Sequence, residues 1–144
     1  DATMAEFAKE WAEQRSEKAE AKAKKADTPA DPEAQAKRLA ERVAKMDAGH
    51  DDFPHRLAAL VRGGLAAARS QPYAYWDRAA ARLVDAQLPG LADRVRTLGE
   101  EALRREDWAD HMLCQIGRLR LLTGAWKRRD QLSDADAADL RSAL

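Results

Sequence analysis

The stretch WADHMLCQIGRLRLLTGAW, residues 108–126, decides the fold. Trp108, Met112, Ile116, Leu119, Leu122 and Trp126 recur at steps of three and four, the period of one face of an α-helix. Glu106-Asp107 precede the stretch, where acidic groups suit the positive end of a helix. Lys127-Arg128-Arg129 follow it and complement the negative end. A five-turn apolar stripe of this kind must be covered by other helices or sheets.

The segments upstream carry the same period. Leu91, Val95, Leu98 and Ala102 form one stripe, and the turn Leu88-Pro89-Gly90 separates it from a helix opened by Ser70-Gln71-Pro72. On that helix Tyr73, Trp76, Ala80, Leu83 and Val84 are expected to face inward. Leu57, Leu60, Val61, Gly64, Leu65 and Ala68 share a further face, where Gly64 is expected to admit a close helix neighbour and so offset the propensity lost at Gly63-Gly64. The pattern predicts a stop or kink between that helix and the preceding one (Leu39, Val43, Met46), at Gly49 and Phe53-Pro54, because proline disfavours helix in the residue before it. Asp31 and Pro32 supply a cap and a first-turn residue for the Leu39 helix. Downstream, Ser133 with Asp134 and Asp136 starts a short helix ending near Leu140 and Leu144. No stretch alternates as a strand does, so the expected fold is all-α, a bundle of six or seven helices with short connections.

The first 28 residues read differently. Met4, Phe7 and Trp11 make a short apolar stripe, and beyond it Ala12 to Lys25 are alanine and charge, with Glu20 and Lys24 at the favourable i, i+4 spacing. Residues 1–28 are therefore expected to form a charged helical arm and residues 32–144 the bundle. A chain opening at Asp1 with a helical pattern already running by Met4 suggests that a further module precedes it.

Composition excludes several functions. Lys and Arg total 25, Asp and Glu total 25, and the formal net charge is zero. A chain whose main task is gripping nucleic-acid backbone usually shows a basic excess. Cys114 is the only cysteine, so neither a disulfide framework nor a four-thiolate zinc site can form within this chain, and one thiol fits a reducing cytoplasm. No apolar run reaches the roughly 18 residues of a membrane span.

Chemistry-bearing clusters are sparse. His50 and His55 flank Asp51-Asp52, but five residues along a helix set two side chains about 140° apart. Asp107, His111 and Cys114 step by four and three, and a metal there would need ligands from another helix. No Gly-x-Ser-x-Gly elbow, P-loop or phosphate-cradling glycine loop is present. An enzyme reading would require a pocket joining His111 and Cys114 to a carboxylate on another helix. The helices either side of Leu88-Pro89-Gly90 have the outline of a helix-turn-helix, with Arg94 and Arg96 on the second. Gln87, spaced from Trp76, Ala80, Leu83 and Val84, is expected on a buried face, bonded to backbone or to the Arg82/Asp85 pair.

The run QPYAYWDRAAARLVDAQLPGLADRV, residues 71–95, resembles the region downstream of the zinc-binding motif in bacterial SWIM-type zinc finger proteins, where a tryptophan helix leads into a "VDAQ-x-PGLA-x-RVR" run. Phe7-Ala8-Lys9-Glu10-Trp11 and the run from Arg118 to Trp126 sit in the order the resemblance requires. The Cys-x-Cys…Cys-x-His signature of the finger is absent, so the resemblance implies the C-terminal helical part of such a protein, with no cofactor in this chain and zinc held upstream. It implies further a setting among MoxR-type ATPases and von Willebrand A-domain proteins. The expected function is a non-catalytic protein-interaction or scaffolding module, cytoplasmic, with no small-molecule substrate, and Trp76, Arg82, Asp85, Gln87, Arg94 and Arg96 as partner-binding positions. The alternative is a nucleic-acid-binding accessory. It would require Arg94, Arg96, Arg118, Arg120 and Arg128 to converge on one acid-free face.

Overall fold

A computed structural model describes the backbone of residues 2–26 and 31–144, and all the regular structure among these residues is helical. The elements are α1 (Ala2–Ala26), α2 (Pro32–Gly63), α3 (Leu65–Arg69), α4 (Tyr73–Asp85), α5 (Pro89–Arg104), α6 (Trp108–Lys127), a 3-10 turn (Arg129–Gln131) and α7 (Asp134–Ala143). The chain divides into two compact units, Asp1–Arg38 and Leu39–Leu144.

In the first unit α1 is solvated along residues 11–21, as its alanine and charge dictate. Trp11 is exposed, with the Arg15 guanidinium 5.2 Å from its ring. The side chains of Met4, Phe7 and Lys24 lie outside the described residues, and with them the expected stripe and the Glu20–Lys24 pair. Asp31 caps α2 as its sequence position predicts, its Oδ1 accepting the Glu33 N–H at 3.1 Å.

The second unit is built on the long helices α2, α4, α5 and α6. Trp76, Ala80 and Leu83 of α4 meet Leu91, Val95, Leu98 and Ala102 of α5 in the core, and α6 adds Met112, Ile116, Leu119 and Trp126. The expected stripes of α5 and α6 are therefore largely the core. On α6, however, Trp108 and Leu122 are only half-buried, while Thr123 is fully buried with its hydroxyl donating to the Arg120 carbonyl at 2.8 Å. Ser133 caps α7 by accepting the Asp136 N–H at 3.1 Å. The backbone oxygen of Leu144 then accepts from Gly90 and Leu91 N–H at 2.6 and 3.2 Å, satisfying free donors at the start of α5.

Three expectations need correction. The stop expected at Gly49 or Phe53-Pro54 does not occur: α2 runs through Pro54. Proline there leaves the His50 carbonyl without its helical partner, at a cost of about 3 kcal/mol. Burial of His50, Phe53, Pro54 and Leu57 on the same face offsets it. The break falls instead at Gly64, whose φ of 94° and ψ of 140° only glycine adopts readily. No atom lies within 4 Å of a Cβ built on Gly64, so the expected close approach is absent there. It is found at Gly99, where a Cβ would stand 2.5–2.7 Å from Cγ, Cδ1 and Cδ2 of Trp76. Tyr73 and Val84, finally, point outward at 62% and 43% exposure, leaving α4 a narrower inner face than its sequence predicts.

Candidate functional site: a groove between α2 and α4

Because α2 continues through Pro54, residues 49–60 present one uninterrupted helical wall. Phe53, Leu57 and Leu60 lie on that wall at i, i+4, i+7, and Trp76, Ala79 and Leu83 line the facing side of α4. Between them opens a groove of about 440 Å³, with Val95 and Leu98 of α5 contributing to its lining. A smaller hollow of about 180 Å³ continues it toward the Gly63-Gly64 break, sharing Ala59, Leu60 and Tyr75 with the larger one.

The charged groups of the groove are three arginines and one aspartate. Arg56 is paired with Asp52 one turn earlier on α2. Arg78 and Arg82 stand one turn apart on α4, both exposed, and neither forms an ion pair among the described residues. An apolar floor with a net positive rim accepts an apolar body bearing negative charge.

The sequence-predicted positions divide around this groove. Trp76 and Arg82 line it. Trp76 is only 5% exposed, so it is a core residue forming the wall rather than a free surface side chain. Asp85 is exposed near the end of α4 and does not line the groove. Gln87 is not on a buried face. It lies beyond α4, exposed, with φ of 63°. There its N–H donates to Val84 O at 2.9 Å and Leu88 N–H donates to Leu83 O at 2.8 Å, the two bonds that close a helix through a left-handed residue. α4 ends at Asp85, so the helical spacing that would bury Gln87 no longer applies where the backbone turns.

The arginines of the nucleic-acid alternative do not share an acid-free face. Arg96 lies between carboxylates, its Nε 3.2 Å from Asp77 Oδ1 and its Nη1 3.4 Å from Asp93 Oδ1. Arg118 and Arg120 flank the buried Leu119 and diverge by roughly 160° around α6. Arg94 and Arg128 are exposed.

His111 does meet a carboxylate from another helix, its Nε2 bonding Glu101 Oε2 of α5. Neither hollow described above includes His111 or the exposed Cys114. Among the described residues no three His, Cys, Asp or Glu side chains are grouped so as to hold a metal ion. His50 and His55 are separated as their spacing predicts, His50 fully buried and His55 exposed. No helix among the described residues is long and apolar enough to cross a membrane.

Arg56 and Arg78 escaped the sequence reading. The available signal was the Arg78/Arg82 pair beside Ala79 and Leu83, two cations at i, i+4 on the edge of an apolar stripe with Asp85 the one acid within a turn on that edge.

Comparison with known proteins yields no match among curated proteins or solved structures. A family model does match, over residues 41–144, which takes in the groove, the α4–α5 hairpin and α6. With well over half its length matched, the chain belongs to the SWIM-associated four-helix bundle domain family.

Proposed function

We propose that this chain is a non-catalytic protein-interaction module which docks a segment of a partner protein in the α2–α4 groove. The observation carrying this reading is the groove itself, a largely apolar hollow left open between two helices and edged by Arg78 and Arg82, which form no ion pair among the described residues. The family is not a known catalytic domain, which accords with the reading. In the parent protein, a bacterial cytoplasmic one, zinc would be held by a SWIM finger upstream of this bundle. The partner would belong to an assembly of the ATPase and von Willebrand A-domain kind. Of the earlier positions, Arg82 is retained at the partner surface and Trp76 as the wall beneath it.

Photocrosslinking tests this. A benzophenone amino acid is placed at Ala79, inside the groove, or at Leu113, on the outer side of α6 and 52% exposed, in the full-length protein in its own cells. The expected result is a discrete protein adduct from position 79 and none from 113, with the adduct's peptide identified by mass spectrometry. Nucleotide adducts, lost on Arg94→Glu, would replace this reading with the nucleic-acid one.

A further inference from the structure

The groove constrains what can fill it. All regular structure among the described residues is helical, so no sheet edge is offered to an extended peptide, and strand addition is unavailable. An apolar groove between helices suits an amphipathic helix laid in it. The α2 wall from Gly49 to Gly63 rises roughly 21 Å, the length of about four turns. The two connected hollows follow that wall to its end at the glycine break.

Charge decides the kind of helix. Arg78 and Arg82 are like charges at i, i+4, an arrangement that disfavours its own helix. Neither has a carboxylate partner among the described residues, whereas Arg56 has Asp52 and Arg96 has Asp77 and Asp93. The cationic edge beside the apolar floor is thus left uncompensated within the fold. Nucleic-acid backbone would meet the arginines but would leave the half-buried apolar lining of Leu60, Tyr75, Ala79 and Ala86 without an apolar partner. A helix with an apolar stripe flanked by carboxylates meets both.

We propose that the α2–α4 groove binds an acidic amphipathic helix of a partner protein, its apolar stripe on the half-buried Leu60, Tyr75, Ala79 and Ala86 and its carboxylates against Arg78 and Arg82. This rests on the reading that the module docks protein through this groove.

The test is a selection from a displayed library of helix-forming 16-residue peptides, random in charge and apolar placement, on the complete chain. Two variants accompany it: Ala79→Trp, which fills the groove, and the surface double variant Arg78→Glu/Arg82→Glu, each checked for unchanged helical circular dichroism. The expected binders carry apolar residues at i, i+3/i+4, i+7 and a net negative charge. Their affinity should fall at least tenfold in the double variant, and that variant should instead select peptides of net positive charge. Binders blocked by Ala79→Trp but lacking acidic bias, or indifferent to Arg78→Glu/Arg82→Glu, would overturn the acidic helix while leaving groove docking intact. Failure to select any binder, or binding untouched by a folded Ala79→Trp, would overturn both. Displacement of selected peptides by a 30-nucleotide DNA through Arg78 and Arg82 would overturn the acidic helix in favour of nucleic acid.

Discussion

Trp76 and Trp126 are buried almost equally, at 5% and 4% exposure, yet they are held by different physics. Trp76 has shape alone: its indole lies against the bare backbone of Gly99, with Tyr75 edge-on at 5.3 Å, and no hydrogen bond to its ring N–H is present among the described residues. Trp126 sits in a polar cluster. Its Nε1 donates to Asp47 Oδ1 at 2.7 Å, Arg129 lies 4.3 Å from its ring centre and bonds the same carboxylate, and His50 stacks on it at 5.2 Å and 15°. One anchor therefore depends on the absence of an atom, the other on charge. Steric change should break the first, and pH or charge change the second.

The largest effect is expected at Gly99. Valine there would drive its side chain into the indole, against Cγ, Cδ1 and Cδ2, ring atoms close to the Trp76 backbone rather than the far end of a flexible side chain. Overpacking of this kind costs typically up to about 3 kcal/mol and occasionally more. We expect about 4 kcal/mol for Gly99→Val. Alanine should cost roughly 2 kcal/mol, part of the clash being offset by its better helix propensity. Denaturant melts of both variants check this. A neutral Gly99→Val would mean that Trp76 can move aside, and the contrast would fail at its first term.

The next effect belongs to the Trp126 side and is read by pH. His50 is fully buried and neither ring nitrogen has a hydrogen-bond partner among the described residues. Its pKa is lowered from 6.5 to about 4, chiefly by burial, with Arg129 and Lys127 acting in the same direction and Asp47 and Asp51 opposing. A folded-state pKa below the unfolded one means that stability is whole above pH 6.5 and lost as pH falls toward 4, because the unfolded chain takes up the proton first. At 1.36 kcal/mol per pH unit the loss approaches about 3 kcal/mol across that window. His50→Phe, which can keep the stack on Trp126, should flatten the slope between pH 6.5 and 4, whereas Gly99→Ala should leave it unchanged. If both variants show the wild-type slope, the titration lies elsewhere.

How far the sequence made these features legible depends on how local they are. The caps at Asp31 and Ser133 could be read because each needs only a side chain and an N–H two or three residues on. The α5 and α6 stripes could be read because burial enforces helical period. The passage of α2 through Pro54 could not, since proline's local penalty is overruled by burial of Phe53 and Leu57. Gln87 defeated the pattern for the converse reason: apolar spacing carries no mark of where the backbone turns left-handed. The groove was half legible. Trp76 and Arg82 stood out as residues, but Arg56 belongs with them only through the standing-off of α2 from α4, which no single helix encodes.

A middling effect is expected at Asp47. Alanine there strands the Trp126 N–H and removes the carboxylate of Arg129, at about 1–2 kcal/mol, since the N–H is buried while Asp47 remains partly open to water. It also removes the main group opposing the fall of the His50 pKa, so the acid-sensitive window should extend below pH 4 in this variant. Asp47→Asn, which retains an acceptor oxygen, should recover part of the stability but not the pH profile. Equal pH profiles for wild type and Asp47→Ala would detach His50 from the Trp126 cluster.

The smallest effect lies on the Trp76 side, at the far end of its own helix. Gln87 holds φ of 63° to close α4 and brings Leu88 under Leu83, both buried. A left-handed conformation costs an L-residue roughly 1 kcal/mol, and glycine avoids that cost but loses more entropy on folding. Gln87→Gly should therefore stabilise by only about 0.5 kcal/mol. It should raise Tm by roughly 2 °C and leave the pH profile untouched, since nothing in the Trp76 anchor titrates. Loss of stability in Gln87→Gly would mean that the exposed amide makes a contact worth more than the strain it carries. The Trp76 side would then be held by polar bonding as well as by shape.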